Sequence, residues 1–224
     1  MVFKAVATDI DGTITDESRR INISVIRAFR NLEKKGIKVI LISGNVLPVT
    51  MGFKIFIGTS GPIVSENGGI LMYENRIIKN FEKNDIESAY IEFKKIKPDA
   101  ERIITDRWRE TSIALVPTMD IQSVKNFFIP LGFRVEATGF GIHITHKEQN
   151  KFFGLKKAAE ILGISTDEIV AFGDSENDVE MVENAGLGIA VKNAWEIVKE
   201  KADYITNKKF GNGVVEGLKR LGLI

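Results

Sequence analysis

Apolar residues in this chain come in short blocks that alternate between two spacings. Residues 2–10 form a compact apolar run ending in carboxylates, the pattern of a buried strand with polar residues at its carboxyl end. Ile26, Phe29 and Leu32 then recur at helical spacing, with Ser24 placed as N-cap and Gly36 as terminator. Residues 37–42 read as a second strand leading into Ser43-Gly44-Asn45, residues 46–57 as a helix, and Ile63-Val64 as a further strand. Strand–helix alternation with short turns predicts a parallel sheet with crossover helices, and such sheets bind ligands at the carboxyl ends of their strands.

The middle of the chain breaks this rhythm. Ile86, Tyr90, Phe93 and Ile96 predict an amphipathic helix stopped by Pro98, and residues 111–116 read as a strand. Ile121, Val124 and Phe128 predict a second helix; residues 133–138 and 141–145 predict a hairpin turning at Gly139. The fold expected is therefore α/β: a Rossmann-like parallel-sheet core of residues 1–80 and 150–224, with an inserted α+β cap domain over residues 81–149. From Lys151 onward the alternation resumes, with strands expected at 169–172, 187–191 and 204–206 separated by helices.

Composition narrows the function. The 224 residues carry 31 basic and 30 acidic side chains, a formal charge of +1 with both histidines neutral. That balance argues against nucleic acid or an anionic membrane surface as a partner. Cysteine is absent, which excludes disulfides, thiolate zinc sites, iron–sulfur clusters and cysteine nucleophiles. No apolar run approaches the ~20 residues of a membrane span. The amino-terminal run meets Asp9 before a signal-peptide core can form. A soluble, cytoplasmic protein is expected, as a monomer or homodimer.

The candidate chemistry sits where the strands end. Asp9-Ile10-Asp11-Gly12-Thr13 closes the first strand, with two carboxylates that can converge on one pocket and a glycine for a sharp turn. Gly173-Asp174-Ser175-Glu176-Asn177-Asp178 follows a later strand, and Asp174 and Asp178, four apart entering a helix, can share a face. Ser43 follows the second strand and Lys151 opens a helix. Unit like charges ~4 Å apart repel by ~4 kcal/mol at an effective dielectric of ~20, so four carboxylates around one pocket need a cation. An all-oxygen set suits Mg²⁺. Lys151 and the Ser43 hydroxyl then suit an anion brought to that metal, which describes a phosphate site.

Each motif alone has an ordinary reading as a turn, a cap or a solvated charge; their order and common placement favour the functional one. An EF-hand is excluded, because its glycine belongs at loop position six. His143 and His146, three apart on a strand, face opposite sides and read as structural or surface residues. Gly211-Asn212-Gly213 with Gly217 misses the dinucleotide spacing by one residue, and no phosphate-binding loop of the Gly-x-x-x-x-Gly-Lys-Ser/Thr type is present.

Taken in order, Asp9-Ile10-Asp11-Gly12-Thr13, Ser43, Lys151 and Gly173-Asp174-Ser175-Glu176-Asn177-Asp178 resemble the four motifs of haloacid dehalogenase-like phosphatases. The inserted unit resembles the cap of the Cof-like subgroup. Ser43-Gly44-Asn45, Ser65-Glu66-Asn67-Gly68-Gly69 and Arg107-Trp108-Arg109-Glu110 are most similar to the archaeal phosphoglycolate phosphatases within it. The resemblance implies a phosphomonoester hydrolase converting 2-phosphoglycolate and water to glycolate and phosphate. It implies Asp9 as nucleophile and Asp11 as acid and base. Ser43, Gly44, Lys151 and Asn177 would bind the substrate, and Mg²⁺ would be held by Asp9, the Asp11 carbonyl, Asp174 and Asp178. Arg107 and Arg109, on one face of an extended segment, would clamp a substrate carboxylate while Trp108 points away. Another small phosphorylated acid or a sugar phosphate is the near alternative. A receiver-type signalling module is the remote one, disfavoured because such modules lack an insertion of this length.

Overall fold

The computed structural model describes residues 3–224. Its elements in chain order begin with β1 (Ala5–Thr8), α1 (Ile23–Lys34), β2 (Lys38–Ile42), α2 (Leu47–Ile57), β3 (Ile63–Ser65), β4 (Ile70–Tyr73) and β5 (Arg76–Lys79). The middle of the chain supplies α3 (Asn84–Ile96), β6 (Ile113–Leu115), α4 (Ile121–Phe128), β7 (Phe133–Thr138) and β8 (Gly141–His146). The last part gives α5 (Lys151–Leu162), β9 (Ile169–Gly173), α6 (Val179–Asn184), β10 (Leu187–Ala190), α7 (Glu196–Lys199), β11 (Tyr204–Ile205) and α8 (Phe210–Arg220).

The large sheet has the order β11-β10-β9-β1-β2-β3-β4-β5. β11 through β3 run parallel, while β4 and β5 are antiparallel additions at one edge. β1 is buried on both faces, which is why it reads as an unbroken apolar run. Val6 pairs across the sheet with Val39 on one side and Val170 on the other. Phe29 and Leu32 of α1 pack with Leu218 of α8 over one face, and Leu155 and Ala158 of α5 with Met181 over the other. Val2, included in the expected first strand, lies outside the described residues.

β6, β8 and β7 form the separate antiparallel sheet of the cap. Its own core joins Phe93 of α3, Val124 and Phe128 of α4, and Ile113, Ile142 and Ile144 of the strands. Alternation along β8 turns Ile142 and Ile144 into that core and leaves His143 on the opposite face.

Local details depart from the sequence reading. The N-cap of α1 is Asn22, whose side chain accepts from the Ser24 backbone N–H at 2.9 Å, so the cap lies two residues earlier than Ser24. The β4–β5 hairpin is legible only weakly, because it turns at Glu74, held at φ 53° without a glycine, and β5 is wholly exposed. Residues 104–108 form a 3₁₀ turn rather than an extended segment, so Arg107 and Arg109 do not share a face. Arg107 is exposed with its guanidinium 5.5 Å from the Trp108 ring centre, whereas Arg109 is buried.

Candidate active site

Three neighbouring strands, β9, β1 and β2, deliver the sequence motifs to one edge of the sheet. Asp9 extends β1 by one bond, its N–H donating to the Phe172 carbonyl at 3.0 Å. The chain then turns at Gly12, where φ is +88° and a Cβ would lie 2.5 Å from Asp174 Oδ2. Glycine is required there twice over, by the left-handed backbone and by the close approach of the second motif.

Asp9, Asp174 and Asp178 each place a carboxylate oxygen within 4.8 Å of the others. Thr13 Oγ1 donates to Asp174 Oδ1 at 2.7 Å. Asn150 caps α5 by accepting from the Phe153 N–H, which starts the helix so that Lys151 enters the cluster. The lysine is 1% exposed, and Nζ donates to Asp9 Oδ1 at 2.6 Å and Asp178 Oδ1 at 2.7 Å. Asp178 Oδ2 accepts from the backbone N–H groups of Asp174 and Ser175, both at 3.0 Å, which fixes the second loop. Asp9 Oδ2 is buried and has no hydrogen-bond partner.

The charges explain the protonation states. Burial pushes the Asp9 carboxyl well above its ordinary value; Lys151 opposes that, and Asp178, Asp174 and Asp11 add to it. Asp174 is pushed up to about 7, first by burial and then by Asp178. Burial disfavours the Lys151 ammonium, but Asp178 and Asp9 outweigh it and hold the group charged. Without a cation Asp9 and Asp174 hold their protons to higher pH than ordinary carboxyls do; an added cation relieves the same repulsion.

A cavity of about 470 Å³ opens over this cluster. Asp9, Asp11, Ser43, Gly44 and Asp174 line it from the core, and Arg109 and His143 from the cap. Asn45 joins the two core walls: its Nδ2 donates to Ser43 Oγ at 3.1 Å and to Asp11 Oδ2. At Gly44 a Cβ would stand 3.0 Å from Asn67 Oδ1 and 3.3 Å from His143 Cε1, so the cap packs closely over that backbone. Two expected substrate contacts are placed elsewhere. Lys151 is not on the cavity wall, and Asn177 spends its amide on Asn67 Oδ1 at 3.0 Å while accepting from Ser175 Oγ at 2.8 Å. Asn177 therefore ties the second loop to the strand-end segment after β3 instead of facing the cavity.

Arg109 reaches the core. Its Nη2 donates to the Gly44 carbonyl at 2.9 Å and Nη1 to Ser112 Oγ at 3.1 Å, while Nε is buried without a partner. Glu66, fully buried at φ 51°, organises that segment. It accepts from the Glu110 N–H, the Thr111 N–H and hydroxyl, and the Ser112 hydroxyl, at 2.8–2.9 Å. Sequence reasoning found Arg109 but gave no role to Glu66; the signal was an acid beside Asn67-Gly68-Gly69, a run that permits left-handed backbone. His143, read as structural or surface, is instead a wall of the cavity. Burial lowers its pKa well below the usual value, and Arg109 and Lys151 lower it further, so the imidazole is neutral.

The profile of the haloacid dehalogenase-like hydrolase family matches residues 6–108 and 120–218. A phosphoglycolate phosphatase of Methanothermobacter thermautotrophicus is 38% identical over 217 residues, covering 97% of this chain and 98% of its own. One of Picrophilus torridus is also 38% identical, covering 100% and 93%. Among solved structures, a Thermoplasma acidophilum protein superposes with a TM-score of 0.92 at 31% identity, covering both chains completely. A subclass IIB sugar phosphatase shares the fold at a TM-score of 0.83 and 20% identity, over 99% of this chain and 100% of its own. Among the described residues no helix is long and apolar enough to cross a membrane. With strand-end carboxylates, a buried lysine and an inserted cap all in that family's order, the chain belongs to the haloacid dehalogenase-like hydrolases, as one of their phosphatases.

Proposed function

We propose that the protein hydrolyses 2-phosphoglycolate to glycolate and phosphate through an aspartyl-phosphate on Asp9. The observation that carries this reading is the orphaned Asp9 Oδ2, a buried carboxylate oxygen of a cavity-lining residue with Lys151 on its other oxygen. The residues fit Mg²⁺: an all-oxygen cluster, one buried oxygen without a partner, and Asp174 pushed up to about 7 by burial and then by Asp178. Asp9, Asp174, the Asp11 carbonyl and Asp178, directly or through water, would hold it. When bound, the ion neutralises carboxylate repulsion and polarises the phosphoryl oxygens.

Asp9 supplies the attacking oxygen, forming a bond to phosphorus as the ester oxygen leaves. Asp11, on the cavity wall, gives its proton to the departing alkoxide and then takes one from the water that cleaves the aspartyl-phosphate. The Ser43 hydroxyl and the Gly44 backbone face the phosphoryl group, and Lys151, donating to Asp9 from the buried side, opposes the burial that raises its carboxyl. The carboxylate of the substrate needs a cation from the cap. Arg109 is the cap arginine on the cavity wall; Arg107, the other candidate, is exposed and stacks on Trp108. The archaeal relatives named phosphoglycolate phosphatase support the same substrate.

The test is a phosphate-release screen with Mg²⁺ across phosphoglycolate, phosphoglycerates and sugar phosphates. Phosphoglycolate should give the highest kcat/KM. A sugar phosphate turned over better would replace the substrate assignment and leave the phosphatase chemistry standing.

A further inference from the structure

Arg19 joins the loop after the first motif to the tip of the cap hairpin. It lies in the loop after the first motif, at φ +60°, a backbone conformation that residues other than Gly and Asn rarely hold. The loop is well braced: Thr15 bridges to Ile21, the Asp16 carboxylate accepts from the N–H groups of Ser18 and Arg20 at 2.9 Å, and the Arg19 N–H donates to the Asp16 carbonyl at 2.9 Å. This left-handed turn directs the side chain over the cavity. There Nε donates to Asp11 Oδ1 at 3.2 Å, and the guanidinium carbon sits 4.2 Å from the centre of the Phe140 ring. Phe140 belongs to the β7–β8 turn, at the tip of the cap hairpin.

An exposed ion pair is by itself a weak basis for any role. Here three features coincide: an unfavourable backbone conformation, a partner that is the acid–base carboxylate, and an aromatic face contributed by the other domain. Asp11 is held by two side-chain donors, Asn45 from the core and Arg19, and the second also stacks on Phe140 of the cap. We propose that Arg19 is a positioning residue that makes the placement of Asp11 depend on the seating of the cap hairpin. With Phe140 over the guanidinium, its rotamer is restricted and Asp11 is fixed where a departing alkoxide forms. With the hairpin lifted, Arg19 is released into solvent and Asp11 loses one of its two anchors. The inference rests on the assignment of Asp11 as general acid and base.

The experiment compares alkyl and nitrophenyl phosphate esters for Arg19→Gly, Arg19→Lys and Phe140→Ala. Glycine accepts the left-handed backbone, so Arg19→Gly should keep or raise the thermal midpoint. Its kcat for the alkyl ester should nevertheless fall by roughly 10- to 100-fold, with KM within about threefold. The first turnover of the nitrophenyl ester, whose leaving group needs little protonation, should change much less. Phe140→Ala should lose in the same direction, and the double variant should be no worse than Arg19→Gly. Arg19→Lys retains charge but not the planar face and should rescue only part of the loss. In an Asp11→Asn background, Arg19→Gly should cost nothing further. Equal losses for both esters, multiplicative losses in the double variant, or a rise in KM alone would overturn the positioning role; the last would make Arg19 a substrate contact. If Asp11→Asn itself keeps full alkyl activity, the acid–base reading fails. If Asp11→Asn is inactive while Arg19→Gly is unaffected, only this inference fails.

Discussion

Lys151 Nζ lies 2.6 Å from Asp9 Oδ1, and both side chains are almost wholly withdrawn from solvent. A buried ammonium against a buried carboxylate is costly to desolvate and difficult to break once formed. Here the lysine has a second partner, Asp178 at 2.7 Å, so its charge is satisfied from two sides while one Asp9 oxygen is left without a donor. Lys151 opposes the burial that pushes the proposed nucleophile's carboxyl up, and the arrangement leaves one oxygen of a cavity-lining residue without a donor.

Lys151→Met nearly preserves volume and removes the charge. Phosphate release should fall by about 10²- to 10³-fold, the usual cost of losing a preorganised charged donor. In chelated protein, where Asp9 and Asp178 would both lose their buried cationic partner, urea denaturation should show a loss of about 3–5 kcal/mol. A variant that keeps turnover within tenfold would show that Lys151 has no part in the chemistry.

Much of this is legible in the sequence. The strand ends carrying Asp9, Ser43 and Asp174 could be read because parallel strands buried on both faces leave continuous apolar runs, and the polar residues that end them stand out. What could not be read was set by contacts distant in sequence. His143 becomes a cavity wall because β8 packs over Gly44, and nothing in its own neighbourhood shows that. Arg107 and Arg109 separate because residues 104–108 wind into a 3₁₀ turn, where a period of two was assumed. Asn177, with an acceptor oxygen and a donor amide at a motif position, is drawn to Asn67 across the sheet edge.

Metal removal should abolish activity and lower stability together. Chelator should stop phosphate release and Mg²⁺ should restore it; at 100 times its dissociation constant, the ion should add about 2.7 kcal/mol to folding. Asp174, at about 7 in the metal-free protein, must give up its proton to bind a cation, so the Mg²⁺-induced rise in thermal midpoint should be smaller at pH 6 than at pH 8. Asp174→Asn should remove most of that rise. A midpoint indifferent to Mg²⁺ at both pH values would count against a resident ion.

The two aspartates of the first motif should separate kinetically. Asp9→Asn removes the attacking charge and should yield no phosphoenzyme. Asp11→Asn should lose about 10²- to 10⁴-fold with alkyl esters. With an aryl phosphate it should give a product burst and accumulate phosphoenzyme, because hydrolysis of the intermediate still needs the base. Burst-free, equal losses in both variants would contradict the roles.

Arg109 and Arg107 should behave differently towards the substrate carboxylate. Arg109, buried on the cavity wall with an unpartnered Nε, has donors to spare after Gly44 and Ser112. A charged hydrogen bond is worth about 1.5–3 kcal/mol, so Arg109→Ala should lower kcat/KM for phosphoglycolate by roughly 10- to 150-fold. An ester without a carboxylate should lose far less, and Arg107→Ala should change neither. Parallel losses on both esters would mean that Arg109 only holds the cap to Gly44.

His143 gives a pH signature that belongs to folding. Its pKa in the folded protein is well below 6.5, first because the ring is buried and then because Arg109 and Lys151 oppose a further positive charge. Above pH 6.5 the ring is neutral in both folded and unfolded chains and contributes no pH dependence. As pH falls below 6.5 the unfolded chain binds a proton that the folded one refuses, so stability declines progressively towards the lowered folded value. Thermal midpoints of the wild type should therefore drop between pH 6.5 and 5 by more than those of His143→Gln, which has no titrating group there. The exposed side of the ring faces the cavity, so the comparison belongs in substrate-free protein with Mg²⁺ held constant. Parallel midpoint curves for the two proteins would show that His143 takes up its proton in the folded state as readily as in the unfolded chain, and that the cap does not enforce a neutral imidazole over Gly44.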